Sequence, residues 1–136
     1  MKRRELRECI FQLLFRVEFN GQEEMPKQLL MFVDDIKEEN EAQEEDEAYI
    51  SGKYEKIMEK LPEIDAMLEK VSRGWKLSRM GKVELTILRL AVYEMRFDED
   101  IPEKVAINEA VELSKKFGGD DSPAFINGVL AKLTGQ

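Results

Sequence analysis

Histidine is absent from the 136 residues of this chain, and cysteine occurs once, as Cys9. The missing imidazole excludes Ser-His-Asp and Cys-His nucleophilic sites and every zinc or iron site that needs a histidine ligand. A single thiol excludes an intramolecular disulfide and a thiolate metal cluster. Cys9 stands among Leu6, Ile10 and Leu13, which predicts a small core residue and not a reactive thiol. We therefore expect no metal site.

Long apolar runs are also missing. No stretch approaches the 18 residues of a membrane-spanning helix, and no signal peptide opens the chain. We therefore expect a cytoplasmic protein that does not contact a membrane. Neither a phosphate-binding glycine loop nor a GxSxG nucleophile motif is present.

The charge is negative overall and unevenly distributed. The chain has 21 basic and 29 acidic residues, a net charge of −8. A field of this sign does not attract nucleic acid, so a nucleic-acid-binding function requires a local basic patch. Residues 2–7 hold four bases, Lys2, Arg3, Arg4 and Arg7, against one acid. Residues 38–47 hold seven acids and no base, which is typical of a solvated loop or a frayed helix start.

Apolar residues recur at steps of three and four through nearly the whole chain, and no alternation of period two is bounded by turns. This pattern predicts an all-α fold of about seven helices in a single domain, residues 1–136. Pro62 is expected to separate the third helix from the fourth. The helices are predicted over 3–19, after Pro26, over 49–61, 64–71, 82–97 and 103–117, and from Ser122, as a capping residue, to about Leu133.

The first predicted helix carries a row of basic and aromatic residues. Arg4, Arg7, Phe11 and Phe15 follow at steps of three, four and four, which places them along one ridge. Phosphate neutralisation and base stacking together are what single-stranded RNA binding requires. The alternative is that both rings widen the core stripe. Of the two, we expect Phe11 in the core and Phe15 exposed.

Arg89 interrupts the most apolar of the predicted helices, between Leu88 and Leu90. Its side chain either reaches the surface along a polar edge of that helix or pairs with a carboxylate. Spacing alone leaves both interpretations open.

Three stretches closely resemble the transcription antitermination factor NusB family. They are RRELRECIFQLLF at 3–15, ILRLAVYEM at 87–95 and IPEKVAINEAVELSKKFGGDDSPAFINGVLAKL at 101–133. The link around Trp75 and Leu77 fits as well. The resemblance implies two small helical bundles, at about 1–60 and 61–136, packed into one all-α domain.

The resemblance also implies a function. NusB-like proteins bind the single-stranded boxA element of RNA together with the ribosomal protein NusE. The complex joins the RNA polymerase antitermination complex and favours antitermination, notably on ribosomal RNA operons. It implies no enzymatic activity and no cofactor. Since the family includes monomers and homodimers, a homodimer stays open.

Carried over by position, the resemblance assigns residues to two surfaces. Glu84 and the weaker candidate Glu103 fall on the surface that faces NusE. The sequence departs from the family pattern at two positions. Phe15 stands where relatives often have Tyr, and Ala124 stands where some have Lys. Both differences would weaken RNA binding by the protein alone. The RNA surface falls on Lys2, Arg3, Arg4, Arg7, Phe15, Arg89, Asp121 and Phe125.

The net charge of −8 supports an alternative function. In that hypothesis the chain is an acidic helical interaction module that binds basic partners of the NusE type without touching RNA.

Overall fold

The computed structural model describes residues 1–72 and 76–134. Within these ranges the chain is all-α, as predicted, with six α-helices, two short 3-10 helices and no strand. None of the described helices is both long and apolar enough to cross a membrane. The α-helices are α1 (Arg3–Phe15), α2 (Met25–Asn40), α3 (Glu44–Val71), α4 (Lys82–Phe97), α5 (Glu103–Phe117) and α6 (Ser122–Leu133), and the 3-10 helices are Arg16–Glu18 and Leu77–Arg79.

The predicted break at Pro62 is wrong, because α3 runs through it without interruption. A proline inside a helix costs about 3 kcal/mol through the lost hydrogen bond and the ring clash. Ile57, Ile64 and Leu68 of the same helix are fully buried, and each buried aliphatic side chain contributes about 1.5–3 kcal/mol. Burial on both sides of Pro62 therefore outweighs the cost of a continuous helix.

The acidic run at 38–47 is divided between two helices. Its first part ends α2, and Glu41 follows in the left-handed conformation with φ of 53°. Its second part, residues 44–47, forms the acidic first turn of α3. Carboxylates at that end of a helix are stabilised by the macrodipole, so the last four residues of the run begin a helix.

Part of the predicted link at 73–77, including Trp75, lies outside the described residues. Leu77 begins the second 3-10 helix.

The chain divides into two compact units, one covering Met1–Met58 and the other beginning at Glu59, with the boundary inside α3. The first unit contains α1, α2 and the N-terminal part of α3. In the second unit α4, α5 and α6 contact one another. Every residue from 85 to 94 except Arg89 is buried, which confirms the central burial that the apolar pattern of α4 predicts.

Arg89 pairs with a carboxylate, which settles the choice that its spacing left open. Its Nε lies 2.9 Å from Oδ1 of Asp65 and its Nη2 lies 3.0 Å from Oδ2. The two side chains are only 16% and 27% exposed. This two-point ion pair joins the C-terminal part of α3 to α4 within the second unit.

Cys9 is a core residue, as predicted, with 6% of its surface exposed. Burial, together with the negative charges of Glu8 and Glu5, raises the pKa of its thiol from 9.0 to about 11. The thiol therefore stays protonated at neutral pH, which makes it a poor nucleophile.

We expect Asp65→Asn to lower the free energy of unfolding by about 1–3 kcal/mol, because it removes the charge of the carboxylate that accepts two hydrogen bonds from a half-buried guanidinium. Glu63→Gln on the same helix is the matched control. Glu63 pairs with Lys60 at 3.7 Å in an exposed position, so its loss should change stability by less than about 0.5 kcal/mol. Urea denaturation followed by circular dichroism measures both, and equal losses would contradict the assigned role of the pair.

A second prediction concerns pH. The pKa of the Cys9 thiol is raised in the folded state, so ionisation above pH 9 favours the unfolded chain. Stability should therefore fall as pH rises from about 9 to 11. The Cys9→Ala variant should lack the part of the decline that the thiol causes. The free energy of unfolding is measured against pH for the wild type and the variant, and the difference between the two curves is the contribution of the thiol. Parallel curves would show that the thiol is not responsible.

Candidate nucleic-acid interface

Three cations at the start of α1, Lys2, Arg3 and Arg4, are exposed; we call them the basic lead. The backbone N–H of Lys2 donates to Oε1 of Glu5 at 3.2 Å, which fixes the first turn. Positive charges at a helix N-terminus are unfavourable, because the macrodipole is positive there. The basic lead therefore does not stabilise α1 through that field, although all three of its side chains are exposed.

The chain ahead of the basic lead is tied to the start of α3. The α-amino group of Met1 lies 3.3 Å from Oδ1 of Asp46, and the backbone N–H of Gln43 donates to Oδ2 of Asp46 at 2.9 Å. These contacts, first that of Gln43 and then that of the amino group, lower the pKa of Asp46. A carboxylate thus anchors the segment from which the basic lead begins.

Arg7 differs from its basic neighbours, because only 9% of its surface is exposed. It is three residues before Ile10 and four before Phe11, both buried, so it lies on the core-facing stripe of the helix. Lys2, Arg3 and Arg4 are therefore exposed to solvent, whereas Arg7 is buried. An RNA contact by Arg7 stays a prediction.

The rings of α1 become more exposed toward its C-terminal end. Phe11 is 3% exposed, which confirms it as a core residue, whereas Phe15 is half-buried and not exposed, contrary to the prediction, because Phe11 and Phe19 pack against it. Their ring centroids lie 6.0 Å apart in a stacked arrangement. Phe19 is 61% exposed and meets Phe15 edge-on at 5.0 Å. Phe19 was not among the predicted site residues, although another step of four residues from Phe15 reaches it.

On α6, Asp121 and Phe125 lie one helical turn apart. Asp121 is the exposed N-cap residue, and its backbone carbonyl accepts the Phe125 N–H at 3.2 Å. Phe125 is half-buried and lines a cavity of about 220 Å³ together with Met80, Val129 and Lys132. The ammonium of Lys132 lies 3.5 Å from the carbonyl of Val71, near the end of α3.

Glu84 is half-buried and bonded within the second unit. The hydroxyl of Ser122 donates to Oε2 of Glu84 at 2.5 Å and accepts the N–H of Gly119 at 3.1 Å. The prediction that Ser122 caps α6 is wrong. Asp121 is the N-cap residue and Ser122 is the first residue of the helix, and the Ser122 hydroxyl bonds to α4 instead. The bond links the first turn of α4 to the start of α6.

Two glycines make room for the bond between Glu84 and Ser122. A Cβ on Gly81 would lie 2.0 Å from Oε1 of Glu84, and a Cβ on Gly118 would lie 2.6 Å from the Ser122 hydroxyl. Any larger residue at either position would have to displace one member of the pair.

Glu103, the weaker partner-binding candidate, is half-buried in the first turn of α5. Its Oε1 is enclosed and has no hydrogen-bond partner among the described residues.

The predicted residues thus fall into two groups, one in each unit. In the first unit the basic lead, Arg7 and Phe15 share α1. In the second, Asp121 and Phe125 share α6, Glu84 is bonded to the start of that helix, and Arg89 is held by Asp65 on the central helix. Within 1–72 and 76–134, no cluster of three or more acidic or thiol side chains could hold a metal ion.

Comparison with known proteins gives a consistent result. The model of the NusB family matches residues 4–134. The transcription antitermination protein NusB of Lachnoclostridium phytofermentans is 52% identical over 133 residues, which cover 98% of each chain.

Two solved structures share the fold. T. maritima NusB is 31% identical with a TM-score of 0.86, covering 98% of this chain and 90% of that one. A structure of the antitermination factors NusB and NusE in complex with dsRNA contains a chain that is 26% identical with a TM-score of 0.81, covering 96% of this chain and 94% of that one.

Gly118→Ala should destabilise the protein by about 1–3 kcal/mol, as overpacking does, because its Cβ would also lie 2.9 Å from the backbone carbonyl of Ser114. Gly119→Ala is the control. Its Cβ meets nothing within 4 Å, so the change should stay within about 0.5 kcal/mol. Thermal unfolding of the two variants tests the pair, and similar melting temperatures would contradict the close approach at Gly118.

Proposed function

Because the chain belongs to the NusB family, we propose that it is an RNA-binding transcription antitermination factor. It binds boxA-type single-stranded RNA together with the ribosomal protein NusE and supports antitermination by RNA polymerase, notably on ribosomal RNA operons. One observation of the geometry carries the proposal: three exposed cations begin a helix whose far end presents aromatic rings.

Charge supports this choice of site. The chain has a net charge of −8, so its long-range field opposes RNA and contact must depend on short-range pairing. Arg3 and Arg4 supply donors for phosphate oxygens, and Phe15 lies about 18 Å further along α1 from Arg3, at 1.5 Å per residue. The ridge therefore offers phosphate contacts at one end and ring contacts at the other.

NusE is expected to strengthen the binding of RNA by this chain. A partner that touches both the protein and the RNA raises the effective concentration of each for the other. The related NusB bound to NusE and dsRNA supports this choice of partners. Glu84 and Glu103 are the carboxylates that we assign to a basic partner, and Glu84 reaches it from a position fixed by Ser122.

We assign Asp121 and Phe125 to the RNA surface of the second unit. Arg89 supports that surface as a positioning residue, since its guanidinium is committed to Asp65. We further propose that the two compact units are the two helical bundles expected at about 1–60 and 61–136, and that the protein acts in the cytoplasm by binding and not by catalysis.

The Arg3→Gln, Arg4→Gln double variant should bind a boxA-type oligonucleotide at least tenfold more weakly at low salt. The slope of log K against log salt should decrease in magnitude by about 1.4, because each phosphate contact to a single strand contributes about 0.7. The matched control is Lys27→Gln with Lys56→Gln, which removes two exposed charges from the same unit. Titrations with and without NusE, and with a duplex competitor, measure both effects.

Equal affinity of the two double variants would contradict an RNA site at the basic lead. Binding of NusE without any binding of RNA, alone or in the ternary mixture, would favour the alternative of an acidic interaction module.

A further inference from the structure

Phe19 is a highly exposed aromatic residue whose ring contacts a second ring. It leaves 61% of its surface in solvent, although full burial of such a side chain typically contributes about 1.5–3 kcal/mol. Its centroid lies 5.0 Å from that of Phe15, with 69° between the ring planes. An exposed ring seated against a half-buried ring is a surface on which a third flat group can pack.

The segment that carries Phe19 is held in place by hydrogen bonds. The carbonyl of Arg16 accepts the N–H of Phe19 at 3.1 Å and the side-chain amide of Asn20 at 2.8 Å. The Arg16 guanidinium in turn donates to Oε1 of Gln28 at 3.0 Å and lies 5.1 Å from the centroid of the Phe32 ring on α2. Phe19 therefore stands on a turn that is fixed to α2, so binding through it loses little conformational entropy.

The packing of Phe11, Phe15 and Phe19 against one another determines which of these rings is accessible to an RNA base. Phe15 stacks on buried Phe11 at 6.0 Å and meets Phe19 at 5.0 Å, so rings occupy it from two directions. We propose that Phe19 is the ring on which a base of the bound single-stranded RNA stacks, with Phe15 as the ring that supports it. This inference rests on the proposed function and extends its RNA site beyond the end of α1.

Charge near Phe19 indicates what kind of contact this is. Glu18 adjoins it in the chain and Glu23 and Glu24 follow shortly after, so acids outnumber bases in this segment. Stacking needs only the face of a base, works with any base and is worth roughly 1–3 kcal/mol per base. The contact at Phe19 is therefore nearly independent of salt, in contrast to that at the basic lead.

A protein partner fits this position less well than a base. The buried centre of a protein interface combines several apolar side chains that lose water together. The chain neighbours of Phe19, Glu18 and Asn20, are polar. The ring also continues the row of α1 that begins with the basic lead.

The test compares three substitutions at position 19 in the full-length protein. Phe19→Ala should weaken binding of a boxA-type single-stranded oligonucleotide by roughly 5- to 100-fold, with the slope of log K against log salt unchanged. Phe19→Leu, which keeps an apolar side chain without a π face, should weaken it to a similar extent. Phe19→Trp should retain or improve affinity, and the fluorescence that it adds should be quenched by RNA. Leu30→Ala, at a position that is 69% exposed in the same unit, should have no effect.

The possible failures are distinct. Absence of RNA binding by the wild-type protein, with or without NusE, overturns the proposed function and the inference with it. Wild-type binding that Phe19→Ala leaves unchanged overturns the inference alone. Wild-type affinity in Phe19→Leu shows an apolar contact and overturns stacking. Loss of NusE binding at unchanged RNA affinity reassigns the ring to a protein interface. Circular dichroism and the melting temperature check that each variant is folded.

Discussion

Arg89 places a positive charge in a helix that is buried around nearly its whole circumference, and the neutralisation of that charge fixes a contact between two helices of the second unit. Every residue of α4 from Leu85 to Glu94 is buried except Arg89. Desolvating a lone guanidinium costs several kcal/mol, so a carboxylate must come with it. Asp65 provides that carboxylate in a two-point geometry, which fixes the position of α3 along α4 as well as the charge.

The first unit shows the opposite arrangement, in which charge is placed where the helix disfavours it. The basic lead lies at the positive end of the α1 macrodipole, and the exposed ring of Phe19 lies just beyond the other end. Neither arrangement helps the chain to fold. Local conflicts of this kind are expected at functional sites, where binding sets the choice of residue. Asp46 offsets part of the conflict, since it holds the amino group of Met1 beside the same helix end.

Much of the fold follows from the sequence. The predicted helices at 82–97 and 103–117 have the observed bounds because dense apolar periodicity meets clear ends, with a turn before Glu103 and a glycine pair after Phe117. Pro62 misleads because its cost is local while the burial that outweighs it is tertiary. The first helix ends at Phe15 and continues as a 3-10 turn, which periodicity alone does not distinguish.

The site could be predicted less completely, for a physical reason. Residue type and spacing place the cations and rings on one ridge, but exposure depends on what packs against that ridge. Arg7 has the spacing of a core residue although its side chain is charged. Phe19 lies beyond the predicted ridge, and only the contact with Phe15 shows that it continues the row. Ser122 has the identity of a cap, yet its hydroxyl bonds to a glutamate 38 positions earlier.

The enclosure of Cys9 has a consequence for the conditions under which this protein works. The chain has no imidazole, the side chain that ordinarily titrates near neutral pH, and its one thiol stays neutral there. Near neutral pH, dissolved ions, more than protons, therefore govern how strongly the basic lead holds an anionic strand.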